Sequence, residues 1–241
     1  MRNMVGLLFI RRNFMSQDVK PFKTLEEQIA ILEDRGLIID DENVAKKSLA
    51  NLNYYRLSAY TLTLRKHDHF YENVHFSDVM QIYRFDMELR AALMYLLESI
   101  EVSMRTYIGY YHAKSFGALG YYKEESFENV DRFHKFELEY KSAIEEYGDK
   151  EVFVKHHNDI YEGKFPIWVL VELLTLGTLS RLFKNLTSEV RDEICRNNYG
   201  KINDEYIGNW LQGRTILRNI CAHRGRLFNR QIPFSLRLGK R

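Results

Sequence analysis

Prolines are scarce in this chain: three among 241 residues, Pro21, Pro166 and Pro233. A proline inside a helix removes an amide donor and clashes with the preceding turn, so their rarity leaves long segments free to run as helices and favours an all-α fold. Cysteines are scarcer still. Cys195 and Cys221 have no metal-ligand spacing and read as reduced core thiols in a cytoplasmic protein rather than a disulfide framework. No segment reaches the roughly twenty consecutive apolar residues of a membrane span, so no membrane partner is expected. The opening MRNMVGLLFIRRNFMSQDVK holds an apolar run too short for a secretory signal and no small-residue cleavage site. Residues 1–19 read as an N-terminal extension, open to disorder, with Met15 an alternative start, and residues 20–241 as one helical domain. A glycine-rich phosphate loop, an internal repeat and a low-complexity run are also missing, which sets aside P-loop chemistry and solenoid architectures.

Carboxylates are missing where cations are densest. From Arg214 to Arg241 there are eight basic residues (Arg214, Arg218, Arg224, Arg226, Arg230, Arg237, Lys240 and Arg241) and no acid, on a chain whose net charge is only +2. A basic segment on a nearly neutral protein points to a local polyanion contact, with a solvated basic tail as the plain alternative. Hydrophobic residues at 45% and aromatics at 14% are ample for a packed core, which excludes a disordered chain.

The helix signals are strong. Thr24 followed by Glu27 is a capping box, with Leu25, Ile29 and Leu32 at helical spacing and Gly36 as a stop. A second helix starts near Asp40–Asp41 with Val44, Leu49 and Leu52 inward, and LRKHDHFYENVHF reads as a polar loop or short hairpin. From Ser77 to Gly117 one long helix is expected, apolar around most of its circumference and therefore largely buried. On it Glu98, Glu101, Arg105 and His112 fall on one line. Buried charges must be paired or do chemical work, and pairing of Glu101 with Arg105 is the first expectation. Further helices are read around 131–147 and 149–161, over FPIWVLVELLTLGTLSRLFKNL with a break at Gly177, over SEVRDEICRNNYG capped by Ser188, and from about Asp204 to Phe228.

The last of these carries ILRNICAHRGRLFNR, residues 216–230. At about 100° per residue, Ile216, Leu217, Ile220, Cys221, Leu227 and Phe228 share one apolar arc. The opposite arc holds Arg218, Asn219, Arg226 and His223 around the small Ala222. Such a set suits RNA cleavage. A histidine of near-neutral pKa serves as general base and acid, and the arginine fork fits phosphate oxygens. No metal or other cofactor is required, and two-metal chemistry has no carboxylate cluster nearby. Arg218 and His223 lie about 140° apart on an ideal helix, so one copy aims them poorly at one group, whereas two copies facing each other across a symmetric cleft would supply both. Arg-x4-His on its own is a weak pattern. Other candidates have a plainer reading: His67, His69, His156 and His157 as loop histidines, Trp168 and Trp210 as packing residues, and Cys221 as a core thiol rather than a nucleophile.

LRNICAHRGRLFNR resembles the signature of the abortive-infection proteins of the AbiD/AbiF-like group, within the HEPN superfamily of helical ribonucleases. The likeness extends through PFKTLEEQIAILEDRGLIIDD, LNYYRLSAY, YRFDMELRAALMYLLESIEVSMRT, FPIWVLVELLTLGTLSRLF and NWLQGRTILRNICAHRGRLFNR. The resemblance implies a HEPN-like helical bundle, a homodimer, and metal-independent endoribonuclease activity used as a toxin-like effector against phage. On it, Arg218 and His223 are catalytic with Asn219 in support, and Glu98, Glu101 and Arg105 stand behind them. Family members often carry a second histidine, then serine, and a tryptophan, where this chain has Arg224, Gly225 and Phe228; an auxiliary role for a second histidine is thereby in doubt. One alternative is a non-catalytic RNA-binding module that holds a small, antitoxin-like regulatory RNA, and a third, purely structural reading makes the same residues a salt-bridged helix face. On either RNA reading Arg214, Arg224, Arg226 and Arg230 would grip phosphates, while Tyr54, Tyr55 and Arg56 stack on bases. The enzyme needs His223 and the binder does not.

Overall fold

The computed structural model describes residues 19–148, 150–200 and 202–237. The N-terminal extension but for Val19, the start at Met15 and the last two cations of the basic segment lie outside them. The described chain is all-α but for one small hairpin, and it divides into two compact units, up to Met80 and from Gln81 onward.

In the first unit, α1 (Leu25–Asp34) starts on the expected capping box. The Thr24 hydroxyl accepts from the Glu27 amide at 3.2 Å, and the Thr24 amide donates to Glu27 at 2.8 Å. α2 (Glu42–Leu52) is capped by Asp41, whose carboxylate accepts from the Asn43 and Val44 amides. Ala45 and Leu49 face inward; Val44, expected there, is 52% exposed, because the cap at Asp41 sets a phase that turns Ala45 to the core. α3 (Tyr54–Ser58) follows directly, and β1 (Arg65–Lys66) and β2 (His69–Phe70) form the hairpin.

The second unit is built on α4 (Phe76–Phe116), whose first turn belongs to the first unit. Around its C-terminal half pack α5 (Val130–Tyr147), α6 (Val152–Ile160), α7 (Ile167–Leu173), α8 (Leu176–Asn185), α9 (Ser188–Asn198) and α10 (Asp204–Ala222). Met104, Ile108, Phe136, Leu170, Leu179, Phe183, Ile207 and Leu211 form one apolar core. Each such side chain contributes on the order of 1.5–3 kcal/mol on burial. Gly109 lets α4 and α7 touch, since a Cβ there would sit 3.0 Å from the Trp168 Cα.

Four local expectations are corrected. The break between α7 and α8 falls at Leu174–Thr175 rather than Gly177, because the Thr175 hydroxyl accepts from the Thr178 amide and starts a new helix. Thr187, not Ser188, occupies the cap position of α9. Trp168 is 51% exposed rather than packed inside. α4 is not largely buried either. Phe85, Tyr95, Leu96, Val102 and Tyr110 are exposed, so its apolar circumference outruns the core available to cover it.

Candidate functional site

α10 stops six residues before the pattern suggested. His223 is its C-cap, and Arg224 adopts the left-handed conformation with φ 55°. The Gly225 amide then donates to the Ile220 carbonyl at 2.8 Å and the Arg224 amide to that of Cys221 at 3.0 Å. This is a Schellman termination with arginine at the position where glycine is commonest. Arg226, Leu227 and Phe228 therefore leave the helical arc. Only Cys221 of that arc is buried; Ile216, Leu217, Ile220, Leu227 and Phe228 are partly covered. Burial raises the pKa of the Cys221 thiol, which suits an inert core residue.

Two residues on α4 fix the chain beyond this stop. Asp86 is fully buried, and one of its carboxylate oxygens accepts from the Leu227 amide at 2.9 Å and the Phe228 amide at 2.6 Å. The other oxygen accepts from Arg90, itself buried, one helical turn along. Charge-assisted bonds of this kind are strong where water is excluded. Arg226 completes the turn by donating to the carbonyls of Phe228 (2.8 Å) and Asn229 (3.3 Å), and Arg230 reaches the Arg226 carbonyl at 3.4 Å. Asp86 and Arg90 escaped notice in the sequence. The signal was there: an Asp/Arg pair four residues apart inside an apolar stretch, of the same kind as Glu101/Arg105.

What remains at the helix end is unengaged. Arg218 is partly exposed, Asn219 and His223 are exposed, and none of the three side chains has a hydrogen bond or ion pair among the described residues. Ala222 between them is exposed and small. Of the supporting candidates, Glu101 pairs with Arg105 at 2.6 Å, and Arg105 also donates to the Val171 carbonyl, tying α4 to α7. That is the internal pairing expected from the sequence. Glu98 is exposed. Arg214 lies close enough to Tyr199 to act on its phenol electrostatically, and Arg224 is exposed. In the first unit, Tyr54 is half-buried and accepts from Arg35 at 3.3 Å, Tyr55 is 84% exposed, and Arg56 is exposed.

No group of three or more histidine, cysteine or carboxylate side chains converges on a metal-sized position among the described residues. No helix among them is long and apolar enough to cross a membrane. No curated protein and no solved structure matches the chain. The family model described as Abi-like protein matches residues 47–229, which takes in most of the sequence and the whole Arg218–His223 segment. The chain thus belongs to the Abi-like protein family.

Proposed function

We propose that the protein is a metal-independent endoribonuclease that acts as a toxin-like effector of abortive infection, with its site at the end of α10. The observation that carries this reading is a contrast. Asp86 and Arg90, buried against the turn after α10, and the part-buried Glu101 and Arg105 farther along α4 are hydrogen-bonded, and Arg226 is bound into the turn. Arg218, Asn219 and His223 face outward with nothing to hold. A fold that secures its structural charges this carefully while leaving an arginine and a histidine free supports a ligand role for them.

In this reading an imidazole takes the proton of an RNA 2′-hydroxyl, and the resulting oxygen attacks the adjacent phosphorus. Arg218 neutralises charge on the pentavalent phosphorane. The 5′-oxygen leaves with a proton from a second imidazole, giving a 2′,3′-cyclic phosphate and a 5′-hydroxyl. The second imidazole is His223 of another copy in a homodimer, which also resolves the angular separation of Arg218 and His223 on one helix. The exposed apolar residues Tyr95, Leu96 and Val102 on α4 offer surface for that association. Membership of the Abi-like family supports the defence role. The test is cleavage of labelled RNA in EDTA by wild type and His223→Ala: loss of cutting in the variant is expected. A variant that cuts as well as wild type would overturn the assignment. If wild type and variant bind RNA equally and neither cuts, the protein is instead a non-catalytic module for a small RNA.

A further inference from the structure

Apart from the end of α10, a second group of cations without carboxylate partners lies in a groove between α5, α8 and α10. Two cavities of about 290 and 280 Å³ lie side by side there and share Arg132 and Lys184 in their walls. The first is completed by Lys135 and Arg181 over a floor of Phe136 and Leu182, and the second by Arg191 and Arg237. Three acids also line the groove, and each is engaged: Glu139 pairs with Arg181 at 2.8 Å, Asp204 with Arg191 at 2.5 Å, and Glu205 with Arg237 at 3.3 Å. Arg132, Lys135 and Lys184 have no carboxylate partner among the described residues. Lys184 is half-buried and donates only to the neutral Gln212 carbonyl oxygen at 2.7 Å. Burial, with the Arg132 and Arg237 guanidinium groups beside it, lowers its pKa. Like charges held together without a counter-charge repel, and a bound anion relieves that cost.

We propose that this groove binds successive phosphates of a single RNA strand, with Arg132 and Lys184 gripping the backbone and Phe136 offering an apolar wall to a base. On α10 the groove wall reaches Gln212, and the proposed strand continues from there along the helix to its end. Glu205, Gln212 and Asn219 are spaced by seven residues and so fall close to one line on the helix, and all three are exposed, as is His223. From Gln212 to His223 is about 16 Å along the axis. A strand seated on Lys184 therefore runs a few nucleotides to the proposed cleavage site. The RNA assignment rests on the ribonuclease reading, but the groove can be tested apart from it.

The probe is a fluorescein-labelled 2′-O-methyl oligouridylate, which cannot be cut by 2′-hydroxyl attack, titrated by anisotropy across a range of salt. Arg132→Gln/Lys184→Gln is expected to weaken binding roughly twentyfold near 0.1 M salt and to reduce the slope of log affinity against log salt by about 1.4, from about 0.7 per phosphate contact on a single strand. Lys114→Gln/Lys141→Gln, whose lysines are exposed and paired elsewhere, is expected to bind as wild type does, and melting curves check that both doubles fold. An unchanged affinity and slope in the groove double, or no binding by wild type, overturns the groove. So does binding of inorganic pyrophosphate by wild type in place of the oligomer. His223→Ala separates the two claims: it is expected to bind the uncut probe normally, so loss of binding in the groove double sustains the groove even where no RNA is cleaved.

Discussion

At the scale of single residues, the fold assigns distinct work to groups that look alike in sequence. Asp86 is one acid among 33 in the chain, yet it anchors the backbone after α10 through two amides and holds Arg90. Asp86→Ala removes the carboxylate shared by the buried Arg90 guanidinium and the part-buried Leu227 and Phe228 amides. A loss of about 3–5 kcal/mol is expected, read as a lower urea midpoint at unchanged m-value. His112 makes a different prediction. It is fully buried between Phe116 and Phe127, both ring nitrogens lack a hydrogen bond, and burial pushes its pKa down to about 4. The unfolded chain binds a proton at that imidazole from about pH 6.5 downward and the folded chain does not, so stability is full above pH 6.5 and falls by about 3 kcal/mol as the pH drops to 4. In His112→Phe the drop over that window is expected to shrink by that amount in urea titrations at stepped pH. The line of Glu98, Glu101, Arg105 and His112 was visible as helical spacing, and the Glu101–Arg105 pair follows from it. That His112 sits among phenyl rings was not visible, because Phe127 and the turn at Gly120 approach it from later in the chain.

Among the elements, the capping box of α1 and the long α4 were legible, since each rests on contacts within a few residues, while the stretch that forms the hairpin read equally as a polar loop. The end of α10 was not. Its apolar pattern continues through Leu227 and Phe228, and what ends it is the left-handed Arg224 together with the distant Asp86. The stop matters for the site, because it makes His223 a cap residue rather than one more position on a buried helix. The segment after it returns along α10: Trp210 donates to the Arg237 carbonyl at 2.8 Å, the Arg237 amide donates to Asn209 at 2.8 Å, and Phe234 and Leu236 close over Gly213. A Cβ at Gly213 would lie 2.7 Å from Phe234 and 2.9 Å from Leu236. Gly213→Ala is expected to lift this segment off the helix even though alanine favours the helix itself by about 0.5–1 kcal/mol. Trypsin should then cut after Arg230 and Arg237 several-fold faster than in wild type, and equal rates would show that the two side chains simply step aside.

On the scale of the whole molecule, the second unit holds the free Arg218 and His223 at one end of α10 and, beside its other half, a groove in which cations outnumber acids. α4 leaves Tyr95, Leu96 and Val102 exposed. If two copies assemble to complete the site, Tyr95→Glu should convert a dimer into a monomer in sedimentation velocity and lower RNA cleavage at least tenfold; a monomeric wild type with full activity would contradict the shared cleft. The sequence disclosed the basic segment and the motif because both are local, whereas the groove draws Arg132, Lys184 and Arg237 from three separate parts of the chain. The most direct measurement is end-group analysis of RNA incubated in EDTA with wild type, Arg218→Ala and His223→Ala, after the protein has been stripped of nucleic acid. Wild type should yield 2′,3′-cyclic phosphate ends and both variants should yield none. Cutting that persists in His223→Ala, or that leaves 3′-hydroxyl ends, would contradict a histidine-driven attack by the 2′-hydroxyl.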